Sequence, residues 1–295
     1  MNHSKPLANN LGIILVTYKP DSHTLKSNLE SLKKYYVCVV DNASDDKIQR
    51  YLQTFQKKNL IHKLILNNEN KGIAHALNQG LLKLPNKIKY VLLLDQDTVI
   101  ELNLISTHLH DFDKLPDPKK LACGWAFVNK IHPKPYFIKY GYFSRKYFAK
   151  TGIHAVDTVI TSGMLIDRQK INNVGLFNEN LFMDFVDTEW CMRAKSKGFT
   201  VYGNFDVQAP AHPIGGEPLS ILGFKFPLHS PERHYYMAHN WVKILFLSGL
   251  GLKFKFHESL QMLFKFLIYS IFPRQRWQSC KSMIQGVIMS LLKNK

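Results

Sequence analysis

The chain has 295 residues, 45% of them hydrophobic and 21% charged, which excludes global disorder and leaves room for a sizeable core. It carries 39 Lys+Arg against 22 Asp+Glu, a net charge of +17, so an anionic partner is expected: nucleic acid, anionic lipid or a phosphorylated substrate. Cys38, Cys123, Cys191 and Cys280 are scattered, with no C-x-x-C and no histidine at metal-finger spacing, which excludes a disulfide framework and points to a reducing compartment.

Residues 1–10 are polar and lack the apolar segment of a secretory signal. The first strand is Leu11 to Val16, broken by Thr17-Tyr18-Lys19-Pro20-Asp21. A helical period follows from Ser22, with Leu25, Leu29 and Leu32 on one face. Tyr36 to Val40 is a second strand, ending in the polar turn Asp41-Asn42-Ala43-Ser44-Asp45-Asp46, and a helix is expected over about 47–58. His62 to Leu66 is a weaker strand, followed by Asn70-Lys71-Gly72 and an amphipathic helix through Ile73, Ala74, Leu77, Leu81 and Leu84. Tyr90 to Leu94 then drives into Asp95-Gln96-Asp97. This alternation predicts an α/β protein: a mainly parallel central sheet, Rossmann-like, with helices on both faces. If the backbone stays extended at its end, Asp95 and Asp97 point the same way, as two hard oxygen ligands. A solvated turn capping a helix is the bland alternative. No G-x-G-x-x-G follows the first strand and no Walker loop occurs, against dinucleotide dehydrogenases and P-loop enzymes. Polar residues gather instead at four strand ends, Thr17 and Tyr18, Asp41 and Asn42, Asn70 and Gly72, Asp95 and Asp97, all on the carboxyl edge where open α/β sheets bind ligands.

Residues 111–120 read as a connection, and Leu121 to Val128 and Thr158 to Ile166 as strands. Thr161-Ser162-Gly163 within the latter suggests either close backbone approach to a ligand or a β-bulge. Phe185 to Ala194 begins a helix that Gly198 ends, with Asp187 near its N-terminus as a dipole-stabilised carboxylate or a plain cap. A short strand, Phe199 to Tyr202, precedes a tight loop, Ala211-His212-Pro213-Ile214-Gly215-Gly216. The last 55 residues hold nine Lys/Arg and one acid, Glu258. There Leu260, Leu263, Phe264, Leu267, Ile268 and Ile271 recur at helical spacing. A basic amphipathic helix of this kind suits an anionic membrane surface, the alternative being a tail packed on the core. Its cations sit among Phe and Leu rather than in a base-reading motif, so no nucleic acid is expected.

Leu15-Val16-Thr17-Tyr18, Val40-Asp41-Asn42-Ala43-Ser44, Asn70-Lys71-Gly72-Ile73-Ala74, Leu94-Asp95-Gln96-Asp97 and Phe185-Val186-Asp187-Thr188-Glu189-Trp190 occur in this order. Over roughly residues 10 to 240 the chain thereby resembles the inverting family-two glycosyltransferases of GT-A fold, most closely the bacterial rhamnosyltransferases. The resemblance implies a nucleotide-sugar-binding half (1–105) and an acceptor-binding and catalytic half of the same domain (106–240), ahead of a basic helical tail (241–295). The tail is set off by the shift in composition from Trp241 onward, beyond the reach of the resemblance. The resemblance implies that Thr17, Tyr18 and Asp41 bind the nucleotide, Asp41 accepting from the imide N–H of thymine or uracil. Asn70, Gly72 and Asn78 would line the donor pocket with Gln96. Asp95 and Asp97 would hold Mg2+ or Mn2+ on the diphosphate, Asp97 as the direct ligand and Asp95 through the ribose or a metal-bound water, with His212 completing the shell. Asp187 matches the base that deprotonates the acceptor, and Ser162, Gly163, Glu189 and Trp190 the acceptor side. One base opposite one leaving group implies inversion.

The implied reaction moves a sugar, foremost L-rhamnose from dTDP-rhamnose, to a lipid-linked saccharide in surface polysaccharide synthesis (O-antigen or capsule), on the cytoplasmic face of the membrane. A UDP-hexose or UDP-galactofuranose-type donor is the alternative, because thymine and uracil present the same imide edge. A nucleotidyltransferase is a rival of another class, but Thr17-Tyr18-Lys19-Pro20 is not its Gly- and Arg/Lys-rich triphosphate loop. Two departures stand out. Val186 occupies a position where many relatives carry an acid, and Glu232 to Asn240 resembles an R-x-Y-Y-x-x-R-N segment with His239 at the second basic position.

Overall fold

The computed structural model describes residues 9–98, 100–128, 134–141, 146–210, 219–221, 224–227, 229–272 and 275–293. Its first hundred residues keep the expected rhythm. The order is β1 (Leu11–Thr17), α1 (Ser22–Ser31), β2 (Tyr36–Asp41), α2 (Asp46–Lys57), β3 (Lys63–Leu66), α3 (Ile73–Lys83) and β4 (Tyr90–Asp95). Asp21 caps α1 by accepting from the Thr24 amide at 2.8 Å, and Asp45 caps α2 by accepting from Ile48 at 3.0 Å. Each such cap satisfies a backbone donor that has no partner inside the helix.

The second half continues with α4 (Leu102–Lys114), β5 (Lys120–Val128), β6 (Phe137–Ile138), β7 (Lys146–Tyr147), β8 (Ile153–Val156), β9 (Met164–Asp167), α5 (Ile171–Val174), α6 (Val186–Ser196) and β10 (Thr200–Pro210). A small hairpin, β11 (Leu219–Ile221) and β12 (Phe224–Phe226), precedes three helices: α7 (Pro231–Phe246), α8 (Leu252–Ile271) and α9 (Arg276–Lys293). Three sequence expectations need correction. Residues 111–120 are not a mere connection, because α4 runs to Lys114 and its Phe112 is buried. The strand expected over Thr158 to Ile166 shrinks to β9, because Gly163 turns the chain with φ +80°. The strand expected at Phe199 to Tyr202 is the start of the eleven-residue β10.

Eight strands form one sheet in the order β3-β2-β1-β4-β9-β5-β10-β8. Strands β9 and β8 run against the other six. The fold class is thus the mainly parallel, doubly covered sheet that the βα rhythm implied. Period two sorts the strand residues onto two cores. Ile14, Val16, Cys38, Val40, Val91 and Leu93 face α3 and α6, while Ile13, Leu15, Val37, Val39, Leu92 and Leu94 face α1, α2 and α4. Because both faces are covered, β1, β2 and β4 are nearly continuous hydrophobic runs, and the acids of β2 and β4 come at their carboxyl ends.

The C-terminal helices pack on this body. Phe254 of α8 meets Met192 of α6 and Ile244 of α7, and Ala238, Tyr269 and Met283 join α7, α8 and α9. Among the described residues, no helix is long and apolar enough to cross a membrane. Helices α7 and α9 touch backbone to backbone: a Cβ on Gly286 would lie 2.4 Å from the Tyr235 carbonyl oxygen and 3.0 Å from the His239 nitrogen. Gly286→Val is therefore expected to cost about 1–3 kcal/mol by overpacking, read as a lower midpoint in urea with α9 exchanging its amide protons sooner than the sheet. An unchanged midpoint would mean that the two helices are not in contact.

Candidate active site

The carboxyl ends of β2, β1 and β4 lie in register, Thr17 opposite Asp41 and Val16 opposite Asp95. Thr17 donates its hydroxyl to Asp41 Oδ1 at 2.8 Å. Ser44 donates its amide and hydroxyl to the same carboxylate at 2.9 and 2.6 Å, and Gln49 reaches Oδ2 at 3.5 Å. Asp41 has no exposed surface. Its carboxylate therefore shapes the β1 and β2 loops and presents no accessible edge to a ligand. Ser44 three residues after Asp41 was the sequence signal for this local turn.

An amide network extends from that turn. Asn42 donates to Asn70 Oδ1 at 2.7 Å and to the Gly72 carbonyl at 3.2 Å, and Asn67 and Gln79 exchange bonds at 2.9 Å. Gly72 has φ +89°, and a Cβ there would sit 2.3 Å from the Phe182 carbonyl oxygen, so only glycine allows this approach. The same carbonyl accepts from the Ile73 amide at 2.9 Å. Asn78 is buried, and its amide spans the Phe177 amide and carbonyl and Glu179 at 2.8–2.9 Å, so it ties the 177–179 loop to α3 and does not face the sheet edge.

Gln96 is spent on the fold as well: its side chain exchanges two bonds with the Tyr18 backbone, at 2.7 and 3.1 Å. This reciprocal pair fastens the β1 loop to the end of β4, and Tyr18 as a whole remains 42% exposed there. Asp95 is partly buried and Asp97 exposed. Burial, then the charges of Asp97 and Asp187, push the Asp95 carboxyl up to about 7. Three carboxylates thus share one electrostatic neighbourhood.

Behind β4, Ser162 and Thr98 share a buried hydroxyl bond at 2.6 Å, and the Gly163 amide donates to the Leu93 carbonyl at 2.8 Å. A Cβ on Gly163 would lie 2.0 Å from Trp125 Nε1, so this close approach is to an indole of the protein itself. Asp187 follows two consecutive left-handed residues, Asp184 (φ +58°) and Phe185 (φ +63°). It accepts from the Thr188 amide at 2.7 Å and the Thr161 amide at 3.3 Å. Burial nevertheless holds its carboxyl above the usual carboxylate range, with repulsion from Asp184 adding to the effect.

Glu189 and Trp190 do not accompany Asp187 at the sheet edge. Residues two apart on a helix diverge by about 200°, and Glu189 is buried in a pair with Arg193 at 2.7 and 3.1 Å. Trp190 is buried too and donates to the Gly175 carbonyl at 2.9 Å. His212 lies outside the described residues.

Sequence reasoning missed the groups that hold Asp187 in position. Arg233 grips the Asp184 carboxylate with Nε and Nη2 at 2.8–3.3 Å, and Asn240 donates to the Met183 and Asp184 carbonyls at 2.5 and 3.2 Å. Tyr236 stacks on Phe182 with ring centroids 4.6 Å apart. These α7 residues belong to the Glu232 to Asn240 segment already noted for its pattern, which was the available signal. Arg233→Ala should speed hydrogen exchange of the Asp187 and Thr188 amides about tenfold, the loss of about 1.4 kcal/mol of local stability, with Arg233→Lys intermediate. Unchanged exchange would mean that the fork does not hold this loop.

Two carboxylates at the end of β4 share an electrostatic neighbourhood with a third, burial and then their repulsion raising Asp95, and carboxylate oxygens are the ligand type that a hard divalent cation takes. Among the described residues, no three His, Cys, Asp or Glu side chains converge on one point, so a cation here would need ligands from elsewhere.

Comparison with known proteins agrees with this geometry. Residues 13–174 match the model of Glycosyl transferase family 2. The chain is 31% identical over 78% of its length to a dTDP-rhamnosyl transferase, RfbF, of Shigella flexneri, and spans 78% of that protein. It is also similar in fold to the mannosyltransferase PcManGT of Pyrobaculum calidifontis, solved with GDP-Man and Mn2+ (TM-score 0.58, 13% identity, 97% of this chain and 88% of that one). A second fold relative is GalNAc-T7 solved with UDP, GalNAc and Mn2+ (TM-score 0.55, 12% identity, 89% and 57%). On the span of the family match and the likeness to RfbF, the chain belongs to glycosyl transferase family 2.

Proposed function

We propose that this glycosyltransferase moves L-rhamnose from dTDP-rhamnose, with inversion, onto a lipid-linked saccharide of a surface polysaccharide. It would work as a peripheral protein on the cytoplasmic face of the membrane. The observation that carries the reading is the neighbourhood of Asp187 with Asp95 and Asp97, a base candidate beside a candidate diphosphate edge. The donor follows from the likeness to the Shigella flexneri dTDP-rhamnosyl transferase.

In this reading the nucleotide lies along the β1 and β2 ends, against the exposed Tyr18 ring, with Asp41 acting through the loops that it braces. Asp95 and Asp97 would hold Mg2+ or Mn2+, which when bound offsets the charge on the leaving diphosphate. Asp187 takes the proton of the acceptor hydroxyl, and its bonds from the Thr188 and Thr161 amides aim the carboxylate.

Asp187→Asn should lower turnover about 10²–10⁴-fold, the usual worth of a general base, while donor affinity measured by calorimetry stays within a few-fold. Lost donor affinity would make Asp187 part of the pocket wall instead. Asp97→Ala and chelation should each stop transfer, and full turnover in chelator would remove the metal from the reading. A base must be ionised to act, and the Asp187 carboxyl is held above its ordinary value. kcat/KM should therefore fall as pH drops through that raised value, at a higher pH than for an ordinary carboxylate. An acidic limb at or below the ordinary range would count against Asp187. A panel of nucleotide sugars, scored by binding and by slow hydrolysis, tests the donor: preference for a UDP-hexose over dTDP-rhamnose would overturn that part.

A further inference from the structure

Helix α8 is apolar on two opposite faces. At 100° per residue, Phe254, Met262 and Tyr269 share one side, and all three are buried. The opposite side carries Leu252, Phe256, Leu260, Leu263, Leu267 and Ile271 at spacings of three and four, and each of the six is more than half exposed. Over its length this stripe runs about 30 Å. Helix α9 repeats the arrangement on a smaller scale. Met283 and Gly286 face α7, while Trp277 is 79% exposed and Ile284 and Ile288 nearly half exposed. A helix packed on a core from one side normally turns a polar face to water, so a second apolar stripe marks a surface that meets something else.

The charges around the stripe choose the occupant. Glu258 is the only acid on α8 and α9, and it is buried, accepting from the Tyr140 hydroxyl at 2.8 Å. Lys253, Arg276 and Lys281 of the same helices are exposed. A second copy of the chain would bring two basic, acid-free surfaces together. An anionic bilayer answers both features, taking the apolar stripe into its acyl boundary and the cations at its headgroups. Because the other face of α8 belongs to the protein core, the helix can lie in the interface but cannot cross it.

We propose that the Leu252-to-Ile271 stripe of α8, extended by Trp277, is the membrane-docking face, with α8 lying in the plane of an anionic bilayer. This deepens the reading of a lipid-linked acceptor by naming the surface that brings the enzyme to it, and vesicle binding is read without turnover, so the two stand or fall separately.

The test uses the full chain and its Leu263→Glu/Leu267→Glu variant, substituted at exposed positions. Both are sedimented with vesicles of phosphatidylglycerol and phosphatidylcholine, or of phosphatidylcholine alone. The parent chain should bind the anionic vesicles at least about tenfold more tightly than the neutral ones, and the variant should lose at least about tenfold. An unchanged thermal midpoint and donor affinity would show the variant folded. Equal vesicle binding by both proteins overturns the proposal. So does a parent chain that ignores vesicles but forms a dimer that the variant abolishes, which would make the stripe a self-interface.

Discussion

At one end of the sheet, the charges of Asp97 and Asp187 add to the burial that raises the Asp95 carboxyl, and the charge of Asp184 adds to the burial that raises Asp187. Such an arrangement persists only if something offsets the repulsion. Arg233 does so for Asp184, with a fork that matches the carboxylate geometry. For the pair at the end of β4, the positive charge that a bound divalent cation would bring fits the same need. The acids are thus divided by environment. Asp184 is paired and structural, Asp187 is held by amides on a helix start, and Asp95 and Asp97 remain at the open edge.

The loop from Phe182 to Phe185 is where the parts of the molecule meet. Its Phe182 carbonyl receives the α3 amide beside Gly72, its Phe182 ring receives Tyr236, and its Asp184 receives Arg233. Two left-handed residues follow each other here, a conformation that costs energy and survives only when surrounding contacts over-determine it. Helix α7 supplies most of those contacts. The C-terminal region therefore reaches back into the catalytic half through α7, which begins at Pro231 and crosses the boundary drawn near residue 240 from composition alone.

That explains how one tail can answer two descriptions. Helix α8 packs on the core with one face and leaves an apolar stripe exposed on the other, where the proposed membrane contact would form. Packing against α6, α7 and α9 ties the helix that carries the outer stripe to the helix that carries Asp187. A docking face so linked to the site would set its orientation toward a lipid-borne acceptor, not merely its local concentration.

The βα rhythm, the four polar strand ends and the D-x-D edge were legible in the sequence because each is a local property. Period-two and period-3.6 patterns declare strands and helices, and acids cannot remain in a strand covered on both faces. Tertiary structure decided what those residues touch. Asp41 is enclosed by Thr17 and Ser44, Gln96 is taken by Tyr18, and Asn78 by the 177–179 loop, through hydrogen bonds that a list of polar residues cannot anticipate. Glu189 and Trp190 looked like companions of Asp187 in a linear motif, but the helical twist turns Glu189 away to Arg193, and packing buries Trp190 against the Gly175 carbonyl. The Arg233–Asp184 pair joins residues 49 positions apart, and only the packing of α7 against the 182–185 loop brings them within reach. Sequence alone determined which side chains arrive at the edge of the sheet; packing decided which of them stay open to a ligand, because a buried polar group must first satisfy its own fold.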